Sequence, residues 1–154
     1  VERVARVSVA PVSNLFPGYA AKLERARTSY RPVEIAGRTY SPVKDDTRLH
    51  VDAFPTRPMR GRRILRLFAN INPNGKPRLW HVGEPFADMA AKILPKVREP
   101  IALTPFMLAA VGATRGRRSA YDNLMLGLHD NAKLDENYQR MTMHNEIAFP
   151  AGTT

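Results

Sequence analysis

The sequence predicts a β-rich barrel with attached helices, a fold that is mainly β with inserted helices. Two segments carry this prediction, because apolar and polar residues alternate in each as they do in a strand with one buried face. They are residues 47–54 (TRLHVDAF) and residues 61–73 (GRRILRLFANINP). The Asn74-Gly75 turn that follows favours a return strand over residues 76–82, paired with the second segment.

Shorter elements surround these two segments. Apolar residues at helical spacing predict helices at residues 19–28, 84–97 and 105–110, and a fourth helix after Ser119-x-x-Asp122, which resembles a capping box. Looser alternation predicts a short strand or a frayed lead-in at residues 1–9, a strand or extended turn at residues 37–43, and the end of a strand at residues 147–149. The helices fall mostly after the two alternating segments, so we expect them to be insertions into the β framework.

Length and composition predict a single domain that is partial. The chain has 154 residues, the size of one ordinary domain, and no internal repeat divides it. It starts at Val1 and stops after a turn signal at residues 150–152, so we expect the fold to continue beyond Thr154. No apolar run of about 18 residues is present. The absence of cysteine excludes disulfides and thiolate metal sites, and it suits a cytosolic protein.

The charge balance predicts an anionic partner. There are 24 lysines and arginines against 14 acidic residues, which gives a formal net charge of +10. Such a surplus favours nucleic acid, an anionic membrane surface or an acidic small molecule. The arginines form two groups: Arg57, Arg60, Arg62, Arg63 and Arg66, and Arg115, Arg117 and Arg118. A solvated surface is the ordinary explanation of such groups, but the first lies close to a candidate metal site.

That candidate site is the pair His50 and Asp52. On a strand, residues two apart point to the same face and lie about 7 Å apart, so their side chains can converge on one ion. With one more histidine they would form the facial triad of non-haem iron oxygenases, which leaves positions open for a co-substrate and dioxygen. The alternative is a surface histidine and aspartate that share a hydrogen bond.

Arg66 is a candidate for binding the co-substrate. Oxygenases of this class need an arginine for the distal carboxylate of 2-oxoglutarate, because a planar guanidinium binds a carboxylate through two hydrogen bonds. Arg66 shares the polar face of the second alternating segment with Asn70. A salt-bridged residue at a sheet edge is the alternative explanation.

Three long strings resemble the Kdo hydroxylase family, whose bacterial members hydroxylate the 3-position of 3-deoxy-D-manno-oct-2-ulosonic acid (Kdo) in lipopolysaccharide. They are RLHVDAFPTRPMRGRRILRLFANINPNGKPRLWHVGEPF from Arg48, RSAYDNLMLGLHDNAKLDENYQ from Arg118, and FPAG from Phe149. The resemblance implies a cupin-like jelly roll, incomplete at its C-terminus here, that uses Fe(II), 2-oxoglutarate and O2. His50 and Asp52 match the HxD motif of the family.

The resemblance also implies the remaining site residues and the partner. Arg66 and Arg31 are the arginines expected to bind 2-oxoglutarate. The expected acceptor is Kdo-lipid A, a polyanionic glycolipid, which Arg57, Arg60, Arg62 and Arg63 would attract and orient. The expected location is the bacterial cytoplasm, with peripheral contact to the cytoplasmic face of the inner membrane.

The third iron ligand is expected beyond Thr154, on a late strand that follows the turn at residues 150–152. His129 is the alternative, although its segment is predicted to be helical. His81 is expected to pack or to line the cavity.

Two other functions stay open: a basic nucleic-acid-binding module, and a catalytically silent jelly roll that binds a sugar acid. Phe54, Phe68 and Trp80 are not interleaved with arginines as a stacking platform requires, so nucleic acid is the less favoured partner.

Overall fold

The computed structural model describes residues 2–26, 28–31, 39–98, 112 and 116–154. The chain divides into two compact units, Val1–Gly37 and Arg38–Thr154. The helix predicted over residues 105–110 lies outside the described residues. In the stretch 37–43, where a strand or extended turn was expected, the described part enters a 3-10 turn at Pro42–Lys44.

The first unit is helical, with α1 (Glu2–Val7), α2 (Val9–Leu15) and α3 (Pro17–Ala20). The strand predicted over residues 1–9 is therefore wrong. The alternation there is loose, and Glu, Arg and Ala favour a helix. The hydroxyl of Ser8 donates a hydrogen bond to the Val4 carbonyl at 2.8 Å and continues the turn between α1 and α2. The helix expected over residues 19–28 ends already at Ala20.

The second unit mixes both kinds of element. They are β1 (Arg78–Val82), α4 (Phe86–Ile93) with a 3-10 turn at Leu94–Lys96, α5 (Ala120–Leu134), α6 (Glu136–Met141) and β2 (Asn145–Phe149). The helix predicted over residues 84–97 and the strands predicted at residues 76–82 and 147–149 are present, with shifted ends. Helix exceeds strand within the described residues, which differs from the mainly β expectation.

The two strands pair with each other. β1 runs antiparallel to β2, with Arg78 opposite Phe149 and Val82 opposite Asn145. The expected pairing of residues 76–82 with residues 61–73 is wrong, since β2 occupies that position. Residues 61–73 belong to no ladder among the described residues.

Asn70 ties residues 61–73 to the sheet. Its backbone N–H donates to the Thr153 carbonyl at 3.0 Å, and its carbonyl accepts from the Gly152 N–H at 2.7 Å. Its side-chain amide donates to the carbonyls of Lys76 and Phe149, both at 2.9 Å. One polar residue on the predicted inner face therefore joins this segment to the start of β1 and the end of β2.

The hydrophobic core lies between the helices of the second unit. Its buried members come from α4, α5 and α6, and are Met89, Ile93, Leu128, Ala132 and Tyr138. Leu49 and Val51 pack against this core. His50 and Asp52 alternate with them along the sequence, and His50 is exposed. Leu49 and Val51 are partly buried, so each contributes less than the roughly 1.5–3 kcal/mol of a fully buried aliphatic side chain.

Helix α5 starts at the predicted capping box, which is confirmed. Ser119 Oγ accepts a hydrogen bond from the Asp122 N–H at 3.1 Å, and Asp122 Oδ2 accepts from the Ser119 N–H at 2.8 Å. In the middle of α5, Gly127 allows close approach to Val97. A Cβ at Gly127 would lie 2.4 Å from Val97 Cγ1, which is too close for any larger residue.

Lys133 is an unusual member of the buried set, with a side chain only 2% exposed. Its Nζ donates to the Val43 carbonyl at 3.1 Å, and Asp46 Oδ1 lies 3.5 Å away. These contacts attach the segment before His50 to α5. Of the helices described, none has the length and apolar composition needed to cross a membrane.

Candidate metal centre

The imidazole of His50 is oriented as a metal ligand requires. Its Nδ1 lies 2.6 Å from the Arg48 carbonyl oxygen. A carbonyl only accepts, so Nδ1 carries the proton and Nε2 keeps its lone pair. Metal-ligating histidines are typically fixed in this way by a backbone carbonyl or carboxylate. Although His50 reaches solvent, burial of its ring lowers its pKa below the ordinary 6.5, which keeps the imidazole neutral near pH 7.

Asp52 forms an ion pair with Arg66, the arginine that was predicted from the sequence to bind the co-substrate. Arg66 Nε lies 2.6 Å from Asp52 Oδ2, and the side chains are 35% and 33% exposed. The guanidinium carbon of Arg66 also lies 5.6 Å from the centre of the Phe54 ring, a cation–π contact. Arg66 is thus placed at the HxD pair, where an anion beside the metal would be bound. Arg31 belongs to the first unit, and its role stays a prediction.

His129 lies beside His50. The two ring centres are 5.4 Å apart with an interplanar angle of 83°, an edge-to-face arrangement. His129 is on helix α5, as the sequence predicted, and its Nδ1 lies 2.7 Å from Asp130 Oδ1. Within the described residues, no three His, Asp or Glu side chains are grouped closely enough to hold a metal. His129 therefore contacts the ring of His50 without completing a three-ligand site in this arrangement.

The other two histidines form a separate group at the β1–β2 sheet. The rings of His81 and His144 have centres 4.6 Å apart, and His81 Nε2 lies 3.3 Å from Glu146 Oε2. His81 was expected to pack or to line a cavity, and it packs against another imidazole.

His50 and Asp52 are of the residue types that supply two of the three protein ligands in a non-haem iron site. One imidazole nitrogen and one carboxylate are the ligand types of the facial triad. The fixed Nδ1–H of His50 leaves Nε2 as the donor atom. Arg66 contacts Asp52 through the oxygen Oδ2.

The arginine-rich loop is held against the start of α5. The carboxylate of Asp122 accepts from the backbone N–H groups of Met59 at 2.6 Å and Arg60 at 3.0 Å. Arg60 has a positive φ of 54°, a conformation that such fixed hydrogen bonds stabilise. Arg118 Nε donates to the Pro55 carbonyl at 3.2 Å. Asp122 and Arg118 thus fix the loop that carries the predicted substrate-binding residues Arg57, Arg60, Arg62 and Arg63.

Sequence reasoning missed the residues that hold the HxD segment. Arg48 donates to the Lys133 carbonyl at 2.8 Å and pairs with Glu136 at 2.5 Å. Gln139 hydrogen-bonds to the backbone of Leu49. These contacts join the segment to the junction of α5 and α6. Local periodicity carries no signal for them, because the partners are more than 80 positions apart.

Comparisons with known proteins concern the chain as a whole. The family model of 3-deoxy-D-manno-oct-2-ulosonic acid (Kdo) hydroxylase matches residues 1–154. The apo structure of the Kdo hydroxylase KdoO, a non-haem Fe(II) α-ketoglutarate-dependent dioxygenase, is 52% identical, with a TM-score of 0.94 over 97% of this chain and 51% of that one. Its complex with α-ketoglutarate and Fe(III) gives the same identity, TM-score and shares of the two chains. Its complex with cobalt(II) has a TM-score of 0.94 at 52% identity, over 97% of this chain and 50% of that one.

The chain thus spans about half the length of the solved relatives that it matches. No match was found among curated proteins. Over that half, the chain shares the fold of a non-haem iron dioxygenase and carries an HxD pair. It belongs to the Kdo hydroxylase family.

Proposed function

We propose that this chain supplies the HxD half of an Fe(II)- and 2-oxoglutarate-dependent dioxygenase that hydroxylates the 3-position of Kdo in Kdo-lipid A. The observation that carries the proposal is the arrangement of three side chains. His50 presents Nε2, Asp52 follows it two positions later, and Arg66 Nε lies 2.6 Å from the Asp52 carboxylate. Similarity to KdoO over 97% of the chain supports the same assignment.

The proposed cofactor is Fe(II), with 2-oxoglutarate and O2 as co-substrates. When bound, the metal and its co-substrates supply the oxidising power for inserting oxygen into a C–H bond. His50 and Asp52 hold the metal. Arg66 binds the distal carboxylate of 2-oxoglutarate through paired hydrogen bonds, with Arg31 as the second candidate. Because Arg66 already neutralises Asp52, the site accepts a second anion without an excess of negative charge.

The third ligand is proposed to come from outside these 154 residues, on a later strand of a jelly roll. Two observations support this. No third His, Asp or Glu joins His50 and Asp52 among the described residues, and the chain spans 51% of the related KdoO chain. His129 is the alternative ligand, since its ring lies against His50.

The proposed acceptor is anionic and lipid-linked. The loop that carries Arg57, Arg60, Arg62 and Arg63 is anchored beside the start of α5 through its backbone at Met59 and Arg60, so the four arginines extend from one fixed loop. Such an array favours a Kdo carboxylate and the phosphates of lipid A. We propose a bacterial cytoplasmic location, with peripheral contact to the anionic cytoplasmic face of the inner membrane.

The test uses the chain extended along its natural reading frame past Thr154. Decarboxylation of 2-oxoglutarate and hydroxylation of Kdo-lipid A are measured with and without Fe(II). We expect His50→Ala and Asp52→Ala to abolish both reactions while the variants stay folded, because losing either ligand leaves too few donors for an open iron site. His144→Ala and Asp88→Ala, which alter a histidine and an aspartate outside the HxD pair, are the controls.

Unchanged turnover in both HxD variants would remove the metal assignment. The silent sugar-acid-binding alternative predicts Kdo binding without iron-dependent turnover. The nucleic-acid alternative predicts oligonucleotide binding that weakens steeply with salt. If the protein shows no iron-dependent turnover, Kdo binding or salt-sensitive oligonucleotide binding would identify the corresponding alternative as its function.

A further inference from the structure

The side chain of Gln139 lies along the backbone of the residue that precedes His50. The Leu49 N–H donates to Gln139 Oε1 at 2.9 Å, and Gln139 Nε2 donates to the Leu49 carbonyl at 2.8 Å. The same Nε2 donates to the Ala132 carbonyl at 2.8 Å. One amide therefore satisfies both backbone groups of Leu49 and a carbonyl near the end of α5.

This pair of hydrogen bonds takes the place of a neighbouring strand. In a sheet, a residue exchanges an N–H and a C=O bond with its partner across the ladder. Leu49 has no backbone-to-backbone hydrogen bond with any described residue. Gln139 provides both bonds instead, and α6, which carries it, is packed into the helical core through Tyr138.

The contact between Gln139 and Leu49 affects the orientation of His50, the proposed metal ligand. Leu49 is joined directly to His50, whose ring is oriented by the Arg48 carbonyl on the other side of Leu49. Rotation of the peptide on either side of Leu49 would redirect the imidazole relative to Asp52. A ligand that is misplaced by about 1 Å weakens a site built from few donors, because ligand geometry must be held to about 0.5 Å.

We propose that Gln139 is a positioning residue for the iron site, whose amide fixes the backbone at Leu49 and so sets the direction of His50 Nε2. This inference rests on the proposed function. The chemistry at position 139 is specific to an amide. A glutamate would place a carboxylate against the Leu49 and Ala132 carbonyls, which only accept. A leucine would leave three backbone groups without these partners.

The test uses Gln139→Glu and Gln139→Leu in the extended protein, with cobalt(II) as the metal probe. Asn131→Ala is the matched control. It removes an amide on the neighbouring helix α5, where Asn131 Nδ2 donates to the Gly127 carbonyl at 2.8 Å. For each variant, we would measure the free energy of unfolding without metal, the cobalt(II) affinity from its visible absorption, and hydrogen exchange at the Leu49 amide.

We expect both Gln139 variants to bind cobalt(II) at least tenfold more weakly than the parent protein. Gln139→Leu should also exchange the Leu49 amide faster. Asn131→Ala should lose stability and keep its cobalt(II) affinity within about twofold, because its amide does not reach the HxD segment. A merely structural role for Gln139 would lower stability in the same way as Asn131→Ala, without the change in affinity.

The inference is overturned if Gln139→Glu, which retains the size and the acceptor of glutamine, binds cobalt(II) as tightly as the parent protein. If Gln139→Leu does not fold, Gln139→Glu alone decides. A parent protein that binds neither cobalt(II) nor Fe(II) would overturn the proposed function itself. Equal binding by parent and variants would leave that function intact and remove only the role of Gln139.

Discussion

Arg66 Nε lies 2.6 Å from Asp52 Oδ2, so the arginine nominated for 2-oxoglutarate and the carboxylate nominated for iron form an ion pair. Each side chain is about one third exposed, and ion pairs of this exposure contribute little to stability, about 0–1 kcal/mol. The ion pair therefore matters less for stability than for the position in which it holds the Arg66 guanidinium. If Asp52 binds the metal as proposed, the Arg66 guanidinium lies close enough to bind an anion next to it.

Arg66→Ala should weaken 2-oxoglutarate binding to the cobalt(II)-loaded, extended protein by at least tenfold. Losing hydrogen bonds between a guanidinium and a carboxylate costs about 1.5–3 kcal/mol, which corresponds to at least a tenfold loss of affinity. The free energy of unfolding should fall by no more than about 1 kcal/mol. Calorimetric titration measures the first quantity and urea unfolding the second. Arg63→Ala is the control, which should affect Kdo-lipid A binding and leave 2-oxoglutarate binding unchanged. A change of less than twofold in Arg66→Ala would transfer the role to Arg31 or another arginine.

The free energy of unfolding at acidic pH should depend on the ionisation of Asp122. Burial acts to raise the pKa of Asp122, but hydrogen bonds from Ser119 and from the backbone of Arg60 and Met59 outweigh it and lower the pKa below 3.8. A group with a lowered pKa in the folded state adds stability that is complete above pH 3.8 and is lost as the pH falls through the folded-state value.

Asp122→Asn should therefore lose about 1–3 kcal/mol of unfolding free energy at pH 7, the range for hydrogen bonds to a charged group. The difference in unfolding free energy between this variant and the parent protein should shrink as the pH falls below 3.8, because Asp122 of the parent protein then becomes protonated. Urea unfolding at pH 7 and at about pH 3 measures this. Asp88→Asn, on an exposed residue of α4, is the control. An equal difference at both pH values would contradict the predicted ionisation.

Gly127→Ala should destabilise the second unit. Its Cβ would lie 2.4 Å from Val97 Cγ1, and overpacking of this kind costs about 1–3 kcal/mol. Gly18→Ala is the matched control, because a Cβ there meets no atom within 4 Å and alanine favours a helix. Adding Val97→Ala to Gly127→Ala should recover part of the loss. If the two substitutions were simply additive, the close contact would not be the cause.

The 154-residue chain alone should show no coupled turnover, whereas the chain extended past Thr154 should be active. A site with His50 and Asp52 as its protein ligands would hold ferrous iron weakly. Decarboxylation of 2-oxoglutarate is measured for both proteins, with and without Kdo-lipid A. Coupled turnover by the shorter protein, lost in His129→Ala, would instead identify His129 as the third ligand.

Local sequence patterns predicted the face of the HxD segment and the start of α5. Leu49 and Val51 pack against the core as the alternation predicted, and His50 between them is exposed. The capping box at Ser119 and Asp122 was predictable because both of its hydrogen bonds lie within four residues. Arg66 contacts Asp52, although no ladder joins its segment to the HxD segment within the described residues, and its role in binding the co-substrate stays a prediction.

Longer-range relationships could not be predicted in the same way. β1 pairs with β2, more than 60 positions later, and displaces the expected hairpin. The contacts from Gln139 to Leu49 and from Arg48 to Glu136 span 90 and 88 positions. Each depends on how α5 and α6 pack, and a periodic pattern in one segment contains no information about a distant partner. The strand predicted over residues 1–9 became helical because helix propensity outweighed a weak alternation.

The enclosed amine of Lys133 makes this residue a reporter of local opening. Its side chain is 2% exposed and its Nζ is bound to the Val43 carbonyl, so an amine-reactive reagent reaches it only after the segment around Val43 separates from α5. The exposed lysines would be modified at once, whereas Lys133 would be modified at the rate of that separation. Mass spectrometry of this single site would therefore time the opening of the segment that leads to His50, independently of metal and substrate.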